Sequence, residues 1–194
     1  MATMELIKDL RARTGCGVLD CKEALQEAGD NIEKAIVILR KKGKAQVAKK
    51  TGRDTREGVV VSYIHSNNKL GVIVTVLCET DFVAHNAKFQ ALAHNIAMHI
   101  AAADPLAVGP DDIDEKLLNA EQQLAQEQAA ESGKSADIQA KMVAGKLNKF
   151  KAERALLKQP FVKDPTKTIE DLINETVQEI GENITVSEFT RHII

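Results

Sequence analysis

Cysteines stand at positions 16, 21 and 78 of this chain, and histidines at 65, 85, 94, 99 and 192. These are the side chains with nucleophilic or metal-binding chemistry to offer, and their spacing withholds most of it. A thiol at Cys21 or Cys78 attacks only as thiolate, which needs a histidine or a helix N-terminus to lower its pKa. No histidine falls near Cys21 in sequence, so a small buried hydrophobe is the better reading there. An odd set of three thiols without CxxC spacing builds neither a zinc site nor a disulfide framework, and fits the reduced cytosol. His94 and His99 lie five apart, which denies them the shared helical face that an i, i+4 ligand pair uses; they read as surface or boundary histidines. No GxxxxGK[ST] loop is present for a nucleoside triphosphate. Gly15-Cys16-Gly17 follows a helix and is too short for a dinucleotide fingerprint. Adjacent carboxylates occur in charged helical segments, where solvation explains them. The chain offers no catalytic constellation, no cofactor site and no metal site. It reads as a protein that works by contact and not as an enzyme.

One stretch stands apart, VLCETDFVAHN at residues 76–86. An apolar run ends there, and Thr80-Asp81-Phe82-Val83 follows before a long amphipathic segment begins. Only five phenylalanines occur in the chain, and one of them sits at this corner beside a carboxylate. On position alone Phe82 reads as core, since a phenylalanine that follows a strand is most often buried.

The elements around that corner are legible from periodicity. Residues 1–43 carry three short helical patterns. Met4, Ile7 and Leu10 share one face, Leu19, Ala24, Leu25 and Ala28 another, and Ile32, Ala35, Ile36 and Leu39 a third. Gly29-Asp30-Asn31 breaks and caps between the last two, and Gly15 and Gly17 supply the turn before Val18-Leu19. A bundle of this size is near the lower limit for folding alone. Residues 40–56 then hold eight basic side chains and one acidic one. This stretch reads as a solvated helical run, its part from 44 to 56 being the linker, and no interleaved aromatic is there to stack a base.

From residue 57 the period becomes two. β-Branched runs near 58–65 and 71–79 are joined by Ser66-Asn67-Asn68-Lys69, a hairpin. Phe89, Leu92, Ala93, Ile96, Ala97 and Ile100 then follow a helical template, ending before Asp104-Pro105. Pro110-Asp111-Asp112 is expected to open a helical hairpin near 111–158, interrupted at Gly133 with Ser135 as the next cap. Thr168 and Asp171 form a capping-box pattern for a helix that stops at Gly181. A last strand near 184–192 has irregular alternation, which predicts a bulge or an edge position. The fold class expected is α+β: a three-helix bundle over 1–43, a basic linker over 44–56, and a core over 57–194. That core has about three antiparallel strands packed with helices and a helical hairpin. No segment approaches the length of a membrane span, and the N-terminus lacks the apolar stretch of a secretory signal. A soluble, cytoplasmic protein is expected.

Two segments carry more than their periodicity. LRARTGCGVLDCKEAL, residues 10–25, resembles the N-terminal signature of the bacterial elongation factor Ts family, roughly LRxxTGxGxxDCKxAL. CETDFVAHN, residues 78–86, resembles the second signature of that family. KMVAGKLNKF and QPFVKDPTKT, at 141–150 and 159–168, are similar to the region after the family's helical hairpin. The resemblance implies an N-terminal module similar to ubiquitin-associated domains. It also implies an exchange factor that binds the GDP form of the GTPase elongation factor Tu, displaces Mg²⁺ and promotes GDP release during translation elongation. On the matching positions, Thr80, Asp81, Phe82 and Val83 would act at the magnesium side of the GTPase's nucleotide site, with the phenylalanine as a wedge. This implication replaces the core reading of Phe82. Arg11, Val18 and Leu19 would dock on the GTPase's G domain, with Val18-Leu19 standing where many relatives carry methionines. Only one core subdomain fits the length, so the chain resembles short members of the family, which are expected to pair. An open sheet edge at 184–193 would serve a homodimer and a two-plus-two complex.

Two other classes remain on the residues alone. A peptide- or RNA-binding module would use the bundle and Lys41, Lys42, Lys49 and Lys50, with salt-sensitive binding. A thiol enzyme would require an abnormally acidic Cys21 or Cys78.

Overall fold

Three helices open the chain in the computed structural model, which describes residues 3–14 and 16–194, apart from the side chains of Lys44 and Gln46. They are α1 (Met4–Thr14), α2 (Val18–Glu27) and α3 (Ile32–Lys50). Ile7 and Leu10 from α1, Cys21, Ala24 and Leu25 from α2, and Ala35 and Leu39 from α3 form one buried cluster. Between α2 and α3 the backbone turns through left-handed conformations at Gly29 and Asp30. The Asn31 side chain then accepts the Lys34 amide at 2.9 Å, closing the free end of α3 as the sequence suggests. Gly17 differs from expectation: at φ −60°, ψ 152° its backbone is one that any residue adopts. Gly15 lies outside the described residues. α3 continues through much of the basic stretch to Lys50.

Strands β1 (Glu57–Ile64), β2 (Leu70–Cys78) and β5 (Ile184–Ile193) form a sheet in the order β1-β2-β5. A tight loop closed by the His65 amide on the Leu70 carbonyl makes β1 and β2 antiparallel. β5 is antiparallel to β2 as well, since Asn183 bonds to Glu79 while Ile194 bonds to Lys69. Both β1 and β5 are edge strands. β5 runs from Ile184 to Ile193 at the edge of the sheet, one of the two positions its irregular alternation predicts. Val72, Val74, Val76 and Cys78 of β2 point inward and are buried. The opposite face leaves Val60, Ile64 and Ile73 exposed.

The chain divides into two compact units. One gathers the residues up to Gly58 with Leu77–Phe89 and Ile173–Thr185; the other holds Val59–Val76, Gln90–Leu172 and Val186–Ile194. In the second unit lies most of α5 (Ala87–Ala103), whose predicted stripe from Phe89 to Ile100 is buried throughout. A helical hairpin of α6 (Glu115–Glu131) and α7 (Ala136–Arg154) follows. Its start corrects the sequence reading. Pro110-Asp111-Asp112 belongs to a turn in which the Asp112 carboxylate accepts the Gly109 amide at 2.8 Å. α6 begins four residues later, with Asp114 accepting the Lys116 amide. Ser135 does stand at the cap of α7, without a side-chain bond.

A two-stranded ribbon, β3 (Pro160–Phe161) with β4 (Asp164–Thr168), was not expected from sequence. His99 ties to it. The Val162 amide donates to His99 Nδ1 at 3.3 Å, so the ring proton sits on Nε2 and is donated to Gln159 Oε1 at 2.9 Å. His99 is fully buried, which corrects the boundary reading, and burial pushes its pKa down. Thr168 and Asp171 form the anticipated capping box of α8 (Ile169–Ile180): Asp171 N to Thr168 Oγ is 3.1 Å and Thr168 N to Asp171 Oδ2 is 3.2 Å. Gly181, at φ +94°, ends α8.

Candidate functional site

β2 leaves the sheet at Cys78, and one turn of helix, α4 (Asp81–Ala84), follows within two residues. Thr80 makes that transition. Its backbone is extended (φ −129°, ψ 156°), and its Oγ accepts the Val83 amide at 3.4 Å. Asn86 opens α5 by accepting the Lys88 amide at 2.8 Å. Asp81 caps neither helix; its backbone carbonyl accepts a hydrogen bond from the His85 ring nitrogen Nδ1 at 2.7 Å. Val83 and Ala84 are buried and anchor the turn. Phe82 is 84% exposed.

The corner is held by a side chain from the far end of the sequence. Glu182 Oε2 accepts the amides of Glu79 at 3.1 Å and Thr80 at 3.0 Å. Its other oxygen accepts the Thr80 hydroxyl at 2.7 Å. Glu79 returns the arrangement, its Oε1 accepting the Asn183 amide at 2.6 Å and the Arg53 guanidinium at 3.4 Å. Asn183, itself buried, donates its side-chain NH₂ to the Arg53 carbonyl at 3.0 Å. Burial, with the nearby Glu182 charge, pushes the Cys78 thiol up. Burial raises Cys21 in the same way. Neither environment favours a thiolate nucleophile. Among the described residues, no three His, Cys, Asp or Glu side chains are placed to hold a metal ion.

The other predicted residues lie on the bundle. Arg11 is exposed on α1. Val18 and Leu19 occupy the first turn of α2 and are 48% and 72% exposed, while Cys21, Ala24 and Leu25 of the same helix face inward. The structure thus presents two apolar surfaces, one at the corner and one at the start of α2. Both belong to the first compact unit.

Comparison with known proteins bears on both surfaces. The family described as Elongation factor TS matches residues 17–193 of this chain. The chain belongs to the elongation factor Ts family. Proteins called elongation factor Ts are similar to it over most of their length. That of Thermosipho melanesiensis is 46% identical over 194 residues, covering 100% of this chain and 99% of the relative. That of Syntrophomonas wolfei is 48% identical over 192 residues, covering 99% and 90%. That of Koribacter versatilis is 50% identical over 185 residues, covering 95% and 84%. The α+β fold expected from the sequence periodicity is the fold observed, and it is consistent with the elongation factor Ts family. The family match spans Val18, Leu19 and Thr80–Val83; Arg11 lies before it, within the full-length similarity to the Thermosipho relative.

Glu79, Glu182, Asn183 and Arg53 escaped the sequence reading. Gly181-Glu182-Asn183 is legible as a helix stop and a turn. Nothing in its composition tells which amides, some hundred residues away, its carboxylate takes.

Proposed function

We propose that this chain is a guanine-nucleotide exchange factor for the GTPase elongation factor Tu and acts in translation elongation. The observation that carries the reading is Phe82: 84% exposed, in a protein of the elongation factor Ts family, on a turn whose neighbours are buried and hydrogen-bonded. A phenyl ring brings a large apolar area with few rotatable bonds, which suits an exposed Phe82 to enter a partner's packed pocket. Wedged beside the Mg²⁺ of the GTPase, Phe82 with Thr80 and Asp81 beside it pries apart the pocket that holds GDP, and the buried Val83 anchors the turn that carries them. That ion offsets phosphate charge, so displacing it weakens the nucleotide. No catalytic side chain is needed. The factor has only to bind the distorted or empty GTPase better than the GDP-loaded one, and that difference sets how far release is promoted. Arg11, Val18 and Leu19 dock the bundle on the G domain, with residues 1–43 as the docking module, 44–56 as its linker and 57–194 as the core. Two chains pair through the sheet to give a two-plus-two complex. The apolar Val60, Ile64 and Ile73 on its outer face and the edge strand β5 support this pairing. No described helix is long and apolar enough to cross a membrane, which is compatible with work in the cytoplasm.

Fluorescent GDP released from elongation factor Tu, followed by stopped flow, tests the reading. The chain is expected to accelerate release. Phe82→Ala is expected to lose most of that acceleration, in line with a hot-spot loss of about 2–4 kcal/mol. No acceleration by the unaltered chain sinks the proposal. The RNA-binding alternative has less support, because part of the basic stretch is engaged within the protein. Lys42 pairs with Glu27 at 3.1 Å and Arg53 with Glu79 at 3.4 Å.

A further inference from the structure

A corner that has to displace an ion must hold its aim, and one helical turn has little rigidity of its own. α4 has four residues, too few to be stable without outside support. Its leading edge lacks backbone partners of its own: the Glu79 and Thr80 amides have left the β2 ladder and precede the first helical bond. Backbone donors at such a junction need partners, and carboxylate oxygens are strong ones. Here a single carboxylate satisfies both amides and the Thr80 hydroxyl, at 3.1, 3.0 and 2.7 Å. The same hydroxyl accepts the Val83 amide, so it couples Glu182 to the turn that carries Phe82.

We propose that Glu182 is the positioning residue of the exchange site, setting the direction in which Phe82 is presented. It rests on the exchange-factor reading and names a residue that acts through the phenylalanine. Glu182 is half-buried while Phe82 is exposed, so its part is aim and not contact. Its own place is secured from two sides. Gly181 turns the chain through φ +94°, where a side chain would strain the backbone. The Asn183 amide, one residue on, is taken by Glu79 at 2.6 Å. Two carboxylates thus each hold the backbone next to the other. The arrangement does over a hundred residues what a capping box does over three. Arg53 fixes the pair by bonding to both Glu79 and Asn183.

The test combines exchange kinetics with a probe of Phe82 itself. Glu182→Gln keeps the size of the side chain but leaves one acceptor oxygen where two are used. It is expected to lower the maximal rate of GDP release by about tenfold, as a small misplacement of a working group does. The half-saturating concentration is expected to change by less than about threefold, since the docking surface is untouched. In a Phe82→Ala background, Glu182→Gln is expected to cost nothing further, because both changes remove the same action. In the free protein, 4-fluorophenylalanine at position 82 alone should give one narrow ¹⁹F resonance that broadens or splits with Glu182→Gln. Thr80→Val, which removes the hydroxyl but leaves the carboxylate, should show the same pattern more weakly; it carries the test if Glu182→Gln fails to fold. An unchanged fluorine resonance overturns the proposal. So does an equal loss of rate with and without Phe82. If the unaltered chain does not accelerate release while the fluorine resonance still depends on Glu182, the exchange reading falls and the positioning role stands.

Discussion

Phe82 is exposed because its two successors are not. Val83 and Ala84 take the inward side of α4, and a single turn has no further inward position to offer. A stability measurement should therefore ignore the residue: Phe82→Ala is expected to leave unfolding free energy within about 0.5 kcal/mol, the range of ordinary surface changes. The same substitution should be severe in the exchange assay. A drop of several degrees in the thermal midpoint would instead mark Phe82 as core. His99 is the opposite case, invisible to exchange and felt in stability. Its folded pKa is depressed by burial, so the folded state keeps it neutral where the unfolded chain takes up a proton. Its contribution is fully present above the unfolded value of about 6.5 and is lost as pH falls toward the lower folded value. Urea midpoints measured from pH 7.5 down to 5 should fall for the unaltered chain and fall less for His99→Gln. At this scale the sequence was a poor guide. Residue type and spacing place Phe82 and His99 correctly along the chain. Which is covered and which is bare depends on neighbours that periodicity does not name.

Elements were more legible, where one rule acted alone. The α5 stripe from Phe89 to Ile100 follows from helical spacing, and the β1–β2 hairpin from alternation and a polar loop. The capping box at Thr168 and Asp171 was also readable, and it is open to measurement. Thr168→Ala should cost about 1 kcal/mol, as loss of an N-cap typically does, seen as a shifted urea midpoint with an unchanged slope. An unaffected midpoint would mean that the cap is redundant with the packing of α8. Where two rules competed, the reading failed. Pro110-Asp111-Asp112 has the composition of a helix start, yet the Asp112 carboxylate closes a turn on Gly109 and Asp114 takes the cap. The β3–β4 ribbon is short and contains Pro160 and Pro165, which depress any strand signal. Its partners, His99 and Gln159, are set by tertiary contact.

For the whole molecule, the order of parts was readable and the closures between distant segments were not. The exposed Val60, Ile64 and Ile73 on one sheet face bear on assembly. The pairing reading expects two chains per particle at micromolar concentration by sedimentation, and Ile73→Lys should shift the population toward single chains without unfolding them. An unaltered chain that stays single at every concentration removes the pairing. The Glu182 contacts have a consequence in time. Synthesis makes Phe82 early and Glu182 about a hundred residues later, so a nascent chain displays the aromatic well before anything can orient it. Polypeptides that stop anywhere between the two, through premature termination or proteolysis, would carry the working residue on an unfastened loop. On the exchange-factor proposal, they would occupy a GTPase without emptying it.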